Sequence, residues 1–331
     1  MKETARNSEL ETASADDVDV VVIGGGAAGL NGALMLARSR RSVIVIDSGS
    51  PRNAPAEGIH GLLGREGMRP LELLRLGRTE IEGYGGRIVH GSVDGVTATD
   101  GSDLTSYTVT LADGSRLQAR RLLIATGITD VLPAIPGLRE NWGRGVVHCP
   151  YCHGWEVRDR AVGVLMTGPA SVHQALLFRQ LTDDLTLFTN AHELDADSRL
   201  RLAARVVRVV ESPVAAVESD DSGVTGVRLA DGSIVEREAI AVSSFAEPRV
   251  EGLDGLGLTL EDLPGGMGRR VLSGQAGSTE VPGVWVAGNV TDPMAQVGAS
   301  AAAGAMAGAQ INYDLVMEET EAALAVFELQ P

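Results

Sequence analysis

The stretch VDVVVIGGGAAGLNGALMLARSRRSVIVID, residues 18–47, governs the reading of the rest of the chain. Val18 to Ile23, apolar but for Asp19, has the pattern of a parallel strand covered on both faces. Gly24, Gly26 and Gly29 follow at GxGxxG spacing, and the residues after them predict a helix to about Arg40. Val43 to Ile46 predicts a second strand, ended by Asp47. A helix that starts on glycines leaves backbone N–H groups free to hold a pyrophosphate. An acid at the end of the second strand is placed to accept from an adenosine ribose hydroxyl. Three glycines alone say little; strand, glycines, helix, strand and acid in this order specify a dinucleotide-binding α/β unit.

The same order returns 142 positions later in AVGVLMTGPASVHQALLFRQLTDDLTLFTN, residues 161–190. Under that offset Gly24 falls on Met166, Gly26 on Gly168, Gly29 on Ser171 and Asp47 on Thr189. A second repeat accompanies it. LADGS occurs at Leu111 to Ser115 and at Leu229 to Ser233, each time as the expected turn of a β-hairpin leading to an apolar strand. The first copy runs into LLIATG (Leu122 to Gly127), the second into AIAVSSF (Ala239 to Phe245). Two dinucleotide-fold modules are therefore expected, with ligand chemistry kept only in the first. Met166 would crowd a pyrophosphate, Thr189 has no carboxylate for a ribose, and Thr189 to His192 brings no arginine for a 2′-phosphate.

Beyond the second module comes VPGVWVAGNVTDPMAQVGASAAAGAMAGAQI, residues 281–311. A short strand (Val284 to Ala287) meets Gly288-Asn289, and a long helix of small residues starts near Gln296. A plain core helix would carry bulkier side chains, so the smallness predicts a ligand or a tight subunit contact at this helix, with N–H groups at its start able to stabilise a negative ring.

Both cysteines of the chain lie in VVHCPYCHGWEV, residues 146–157, with His148 and His153 directly outside Cys149 and Cys152. Sulfur exchange needs a thiolate, and a free cysteine with a pKa of about 8.5 is only slightly ionised at neutral pH. An adjacent imidazole can take the proton and return it. Pro150 suits the first turn of a short helix, with Cys149 as its cap and Gly154 near its end. CPYCH also matches the haem-attachment pattern literally, and the four ligand-type residues invite a zinc reading. The dinucleotide-type fold around the motif tells against the first, and the difficulty of two adjacent residues reaching one tetrahedral ion tells against the second.

A net charge of −16 and 3% aromatic residues argue against nucleic acid and against anionic membranes as partners. No run of 18 apolar residues occurs, so no membrane span is expected. The polar, acidic start reads as a short tail over residues 1–17 and the protein as cytoplasmic, where a CxxC pair is more often catalytic than structural.

GxGxxG near the amino end, ATG at Ala125 to Gly127, a central CxxC and a late AGN together resemble the low-molecular-weight thioredoxin reductases, from Val18 to about Leu315. CPYCHGWE with AGNVTDPMAQV is similar, more narrowly, to FAD-dependent dithiol oxidases that close disulfides in natural products such as gliotoxin and holomycin. The chain departs from an ordinary reductase in having His153 in place of Asp, Asn289 in place of Asp, and no GxGxxA or basic cluster in the second module. The resemblance implies an α/β fold of two Rossmann-like domains, the second inserted in the first. FAD would lie on a discontinuous domain of residues 18–130 and 248–331, and residues 131–247 would carry the CxxC. FAD would touch Gly24, Gly26, Ala27, Ala28, Gly29, Asp47, Thr126, Gly127, Gly288 and Asn289, with Gln296 and Val297 at the flavin edge and His60 lining the site. Cys152 would face the flavin and Cys149 exchange with substrate. His153 would act as base, and His148 as base or support; His90, His173 and His192 are taken as structural. The implied activity is oxidation of a small-molecule dithiol to an intramolecular disulfide, with O2 as acceptor, H2O2 as product and no nicotinamide, in a homodimer. The alternative is a thioredoxin-disulfide reductase fed by NADPH or ferredoxin.

Overall fold

The computed structural model describes residues 16–99 and 106–328. Residues 1–15 of the expected tail lie outside the described residues, while residues 16 and 17 open the first strand. β1 (Asp16–Ile23), α1 (Ala27–Arg38) and β2 (Val43–Asp47) form the expected βαβ unit. The helix stops two residues short of Arg40, which takes φ 63° while the Arg41 N–H turns back onto the Leu36 carbonyl. α2 (Pro70–Gly83) then leads to β3 (Arg87–His90), followed by β4 (Val93–Ala98), β5 (Tyr107–Leu111) and β6 (Arg116–Ile124). The strand order is β3-β2-β1-β6-β5-β4, parallel from β3 to β6 and antiparallel beyond it.

Alternation along these strands builds two cores at once. Val21, Ile23, Ile44, Ile46, Leu122 and Ile124 face one side; Val20, Val22, Val43, Val45 and Leu123 face the other, beneath α1. That double coverage is why the strands read as continuous apolar runs.

β7 (Ile128–Val131) leaves this sheet for a second module: β8 (Val146–Val147), α3 (Pro150–His153), β9 (Val162–Leu165), α4 (Ala170–Phe178), β10 (Leu185–Phe188), α5 (Ala196–Ala204) and β11 (Arg208–Val210). An antiparallel meander of β12 (Val214–Asp220), β13 (Gly223–Leu229) and β14 (Ile234–Glu236) precedes β15 (Ala239–Val242), which joins the parallel order β11-β10-β9-β15-β8. The 142-residue offset holds bond by bond. The Gly24 N–H donates to Ile46 O at 2.8 Å and the Met166 N–H to Phe188 O at 2.9 Å; Val20 pairs with Val43 as Val162 pairs with Leu185. The two LADGS turns do sit in hairpins, β5–β6 and β13–β14. They part there, because β6 continues through the first sheet whereas the chain breaks after β14 and restarts as β15 in another sheet.

β16 (Phe245–Pro248) returns antiparallel to β7, so the two connections between the modules lie side by side. After the β17 (Leu260–Asp262) and β18 (Arg269–Val271) ribbon, β19 (Val284–Val286) re-enters the first sheet next to β6, and α6 (Val297–Glu328) follows. The small residues of α6 are used differently from expectation. A Cβ added at Gly304 would collide with the Ala28 carbonyl, and one at Gly308 with the Gly32 backbone, so they let α6 cross α1 within the subunit. Only the first turn of the helix reaches a ligand-sized space.

Candidate active site

A cavity of about 420 Å³ lies between the modules, in the size range of small-ligand sites. Its wall brings together Gly24, Gly26, Ala27, Ala28, Asp47, His60, Thr126, Gly127, His148, Cys149, Cys152, His153, Gly288, Asn289, Gln296 and Val297. Of the expected site residues only Gly29 is not on that wall. A Cβ there would strike the Gly24 carbonyl, so Gly29 lets α1 approach β1 instead of forming a cradle.

The cradle suits FAD. Gly24 takes φ 109°, which a side chain would strain, and a Cβ at Gly26 would project into open space. Thr126 Oγ1 is buried on the wall without a hydrogen-bond partner, the state of a hydroxyl awaiting a ligand atom. The Asn289 side-chain amide donates to the carbonyls of Asp292, Pro293 and Ala295, at 3.0, 3.3 and 2.8 Å, and fixes the turn into α6. Asp47 accepts from Arg78 Nη2 at 2.7 Å and from the Gly49 N–H at 3.1 Å. Any ribose bond there would therefore join a carboxylate that is already engaged.

The thiol window matches its reading closely. Cys149 caps α3, Pro150 is its first residue and Gly154 ends it. The Cys149 pKa is lowered to about 6, chiefly by the hydrogen bond from the Cys152 thiol, against burial, with help from the N–H groups of Cys152 and Tyr151 and the Gln296 amide. Gln296 Nε2 lies 3.9 Å from the Cys149 sulfur. Cys152 is pushed up by the bond it donates, by burial and by the neighbouring thiolate. Burial lowers both imidazoles, so they are neutral bases at pH 7. His148 Nδ1 is 3.1 Å from Val242 O; a carbonyl only accepts, so Nδ1 carries the proton and Nε2 is left as acceptor. His153 Nε2 is buried without a partner.

Several residues of the site escaped the sequence reading. Arg52 forms a two-pronged pair with Asp130, Nε and Nη2 each at 2.7 Å, and Ser244 Oγ donates to the same carboxylate at 2.5 Å. Burial raises the Asp130 pKa, but the Arg52 bonds outweigh it and hold the carboxyl low. The Arg52 charge also helps to lower His148 and Cys152. Asp130 is on β7 and Ser244 directly precedes β16, so this group ties both connections to the first module. The cue was available in SPRN, Ser50 to Asn53, which places a cation five residues after the β2 acid.

The turn of the second module differs from the cradle of the first; Thr189 brings no carboxylate, as expected, while Met166 acts otherwise than by crowding a ligand. Met166 is buried in the β9–α4 core and crowds nothing. It lacks the positive φ of Gly24, so the turn cannot take the cradle shape. The Thr167 N–H is capped by Ser171 Oγ at 3.0 Å, Pro169 has no N–H to offer, and Gly265 O stands 3.4 Å from where a Cβ of Gly168 would lie. Thr189 turns inward to the Glu211 carbonyl.

Residues 18–309 match the family model described as pyridine nucleotide-disulphide oxidoreductase. Thioredoxin reductase tcpT of Claviceps purpurea is 35% identical, over 82% of this chain and 86% of its own. Thioredoxin reductase sirT of Leptosphaeria maculans is 29% identical over 89% and 93%. Among solved structures, HlmI superposes with a TM-score of 0.88 at 45% identity, covering 94% of this chain and 96% of its own. An oxidoreductase from Agrobacterium tumefaciens superposes at 0.84 with 35% identity, over 91% and 99%.

Proposed function

The chain belongs to the pyridine nucleotide-disulphide oxidoreductase family, with FAD as cofactor, and we propose that it oxidises a small-molecule dithiol to an intramolecular disulfide. One observation carries this reading: the Cys149–Cys152 pair and two neutral imidazoles share a cavity with the first module's cradle, while the second module's turn lacks the positive φ of that cradle and its Thr167 N–H is already taken by Ser171. We assign O2 as acceptor, giving H2O2, and the production of or protection against a disulfide natural product as the setting.

In the resting form the two cysteines are joined. His153 Nε2 takes the proton of the first substrate thiol, whose sulfur bonds to Cys149 as the Cys149–Cys152 bond breaks. The Cys152 sulfur, with its raised proton affinity, receives a proton. The second substrate thiol gives its proton to His148 Nε2, its sulfur bonds to the first, and Cys149 departs as thiolate. A leaving thiol with a pKa of about 6 speeds that step. His148, fixed by Val242, holds its free Nε2 towards the same exchange. The cradle residues with Gln296 and Val297 would hold FAD, which would supply a two-electron acceptor for the reduced cysteine pair that O2 can reoxidise.

Two relatives named thioredoxin reductases favour a second reading, reduction of a thioredoxin disulfide, with NADPH or ferredoxin as the electron source. Anaerobic mixing separates the two. Dithiothreitol should bleach the flavin and, in air, drive oxygen uptake and peroxide release, and Cys152→Ala should abolish both. Flavin bleaching by NADPH at a comparable rate would overturn the oxidase reading.

A further inference from the structure

His60 was expected to line the flavin, yet both of its ring nitrogens are engaged elsewhere. Nδ1 is 2.6 Å from Glu66 Oε1, and Glu66 Oε2 accepts the Gly61 N–H at 2.9 Å, closing the loop on itself. Nε2 is 3.5 Å from Glu156 Oε1, across the gap between the modules. The loop is also seated on the start of α6: a Cβ at Gly61 would lie 3.6 Å from Gln296 Oε1, and one at Gly298 3.5 Å from Leu62. Glu156 lies three residues after His153, at the exit from α3, with its side chain 40% exposed. A surface glutamate with no anchor samples many rotamers; this one has the His60 ring beside it, an ion pair when both ring nitrogens carry protons.

The charges around His153 make the tether matter. Glu156 favours its protonated form, while His60 and burial oppose it. The other charged neighbours face elsewhere. Arg52 acts on His148 and Cys152, Arg65 donates to the Gly64 carbonyl on its own loop, and Arg158 stacks on Trp155 with 4.1 Å between guanidinium and ring centroid. Glu156 is thus the one carboxylate that acts on His153 among the described residues.

We propose that His60 is a positioning residue for the thiol reaction: clasped between Glu66 and Glu156, it ties the loop over the cavity to the segment after the cysteines and holds the Glu156 carboxylate within electrostatic reach of His153. The inference rests on the assignment of His153 as base. Its consequence is that the pH at which His153 takes a proton is set from across the module boundary.

The test reads His153 directly. In reduced, FAD-loaded protein with 13C-labelled histidine, the ring signals are titrated by NMR, and His153 is assigned by the signal lost in His153→Asn. Glu156→Gln should move the His153 midpoint down by about half a pH unit or more, the loss of one partly screened charge. His60→Gln should move it in the same direction, because Glu156 is released to water. An upward shift in His60→Gln, the sign expected if only the charge of His60 itself mattered, overturns the proposal. So does an unmoved midpoint in either variant, whatever happens to the melting temperature. The acid limb of dithiol-driven flavin bleaching should follow the NMR midpoint. If dithiols bleach no variant, wild type included, the oxidase reading fails while the NMR result still decides the clasp.

Discussion

Two sulfurs in one turn of helix have been given opposite characters by their surroundings. Cys149 accepts hydrogen bonds from the Cys152 thiol first of all, then from the N–H groups of the helix start and the Gln296 amide, so its thiolate persists to about pH 6; Cys152, the donor, stays protonated. The sign follows from that order: thiolate fraction, and with it nucleophilicity, rises with pH through the Cys149 pKa. In reduced enzyme, alkylation of Cys149 by iodoacetamide should be half-maximal near pH 6, with Cys152 unmodified at pH 7. Mass spectrometry of the labelled peptide checks this. Preferential labelling of Cys152 would reverse the assigned roles. The place of Cys149 at the start of the short helix was legible from CPYC, whereas the flanking histidines are not among the causes of either shift and Gln296 lies 147 positions away. The parts played by Arg52 and Asp130 were not legible, since they lie 78 positions apart and meet only through the fold.

Between elements, the decisive contact is the crossing of α1 and α6. The glycines of α6 were read as room for a ligand or a second subunit, and they turn out to be room for the α1 backbone. Sequence spacing shows that a helix is small along one face; it does not show what that face meets. Gly304→Val would drive side-chain atoms into the Ala28 carbonyl. The cost should be at least about 1–3 kcal/mol, as for overpacked cores. It would be seen as a lower urea midpoint and weaker FAD retention, because Ala28 also lines the cradle. An unchanged midpoint would mean that the helices can separate freely.

At the scale of the molecule, the contacts between the cysteine module and the flavin module include Arg52–Asp130–Ser244 beside the connections and Glu66–His60–Glu156 over the cavity. The outer face of α6 is a different surface. Met306, Tyr313, Met317 and Leu324 follow one another at steps of seven, four and seven residues, and all are exposed. Such a stripe on a long helix is what a two-fold partner would cover. Sedimentation should therefore give twice the chain mass of 34.5 kDa, and Tyr313→Glu with Met317→Glu should halve it. A monomer in the wild type would count against the homodimer.

The two βαβ units, their 142-residue register, the cradle glycines and the helix that starts at Cys149 were all determined by the sequence alone, because each depends on periodicity and spacing within about thirty residues. Tertiary structure decided what those units face. It turned Met166 into its own core instead of over a ligand, set Gly265 against Gly168, paired Asp47 with Arg78, and brought His60 to Glu156 across the gap between modules. The physical reason is the same in each case. Local pattern fixes backbone conformation and the buried side of an element, whereas the partner of a charged or small residue is chosen by packing between segments far apart in the chain.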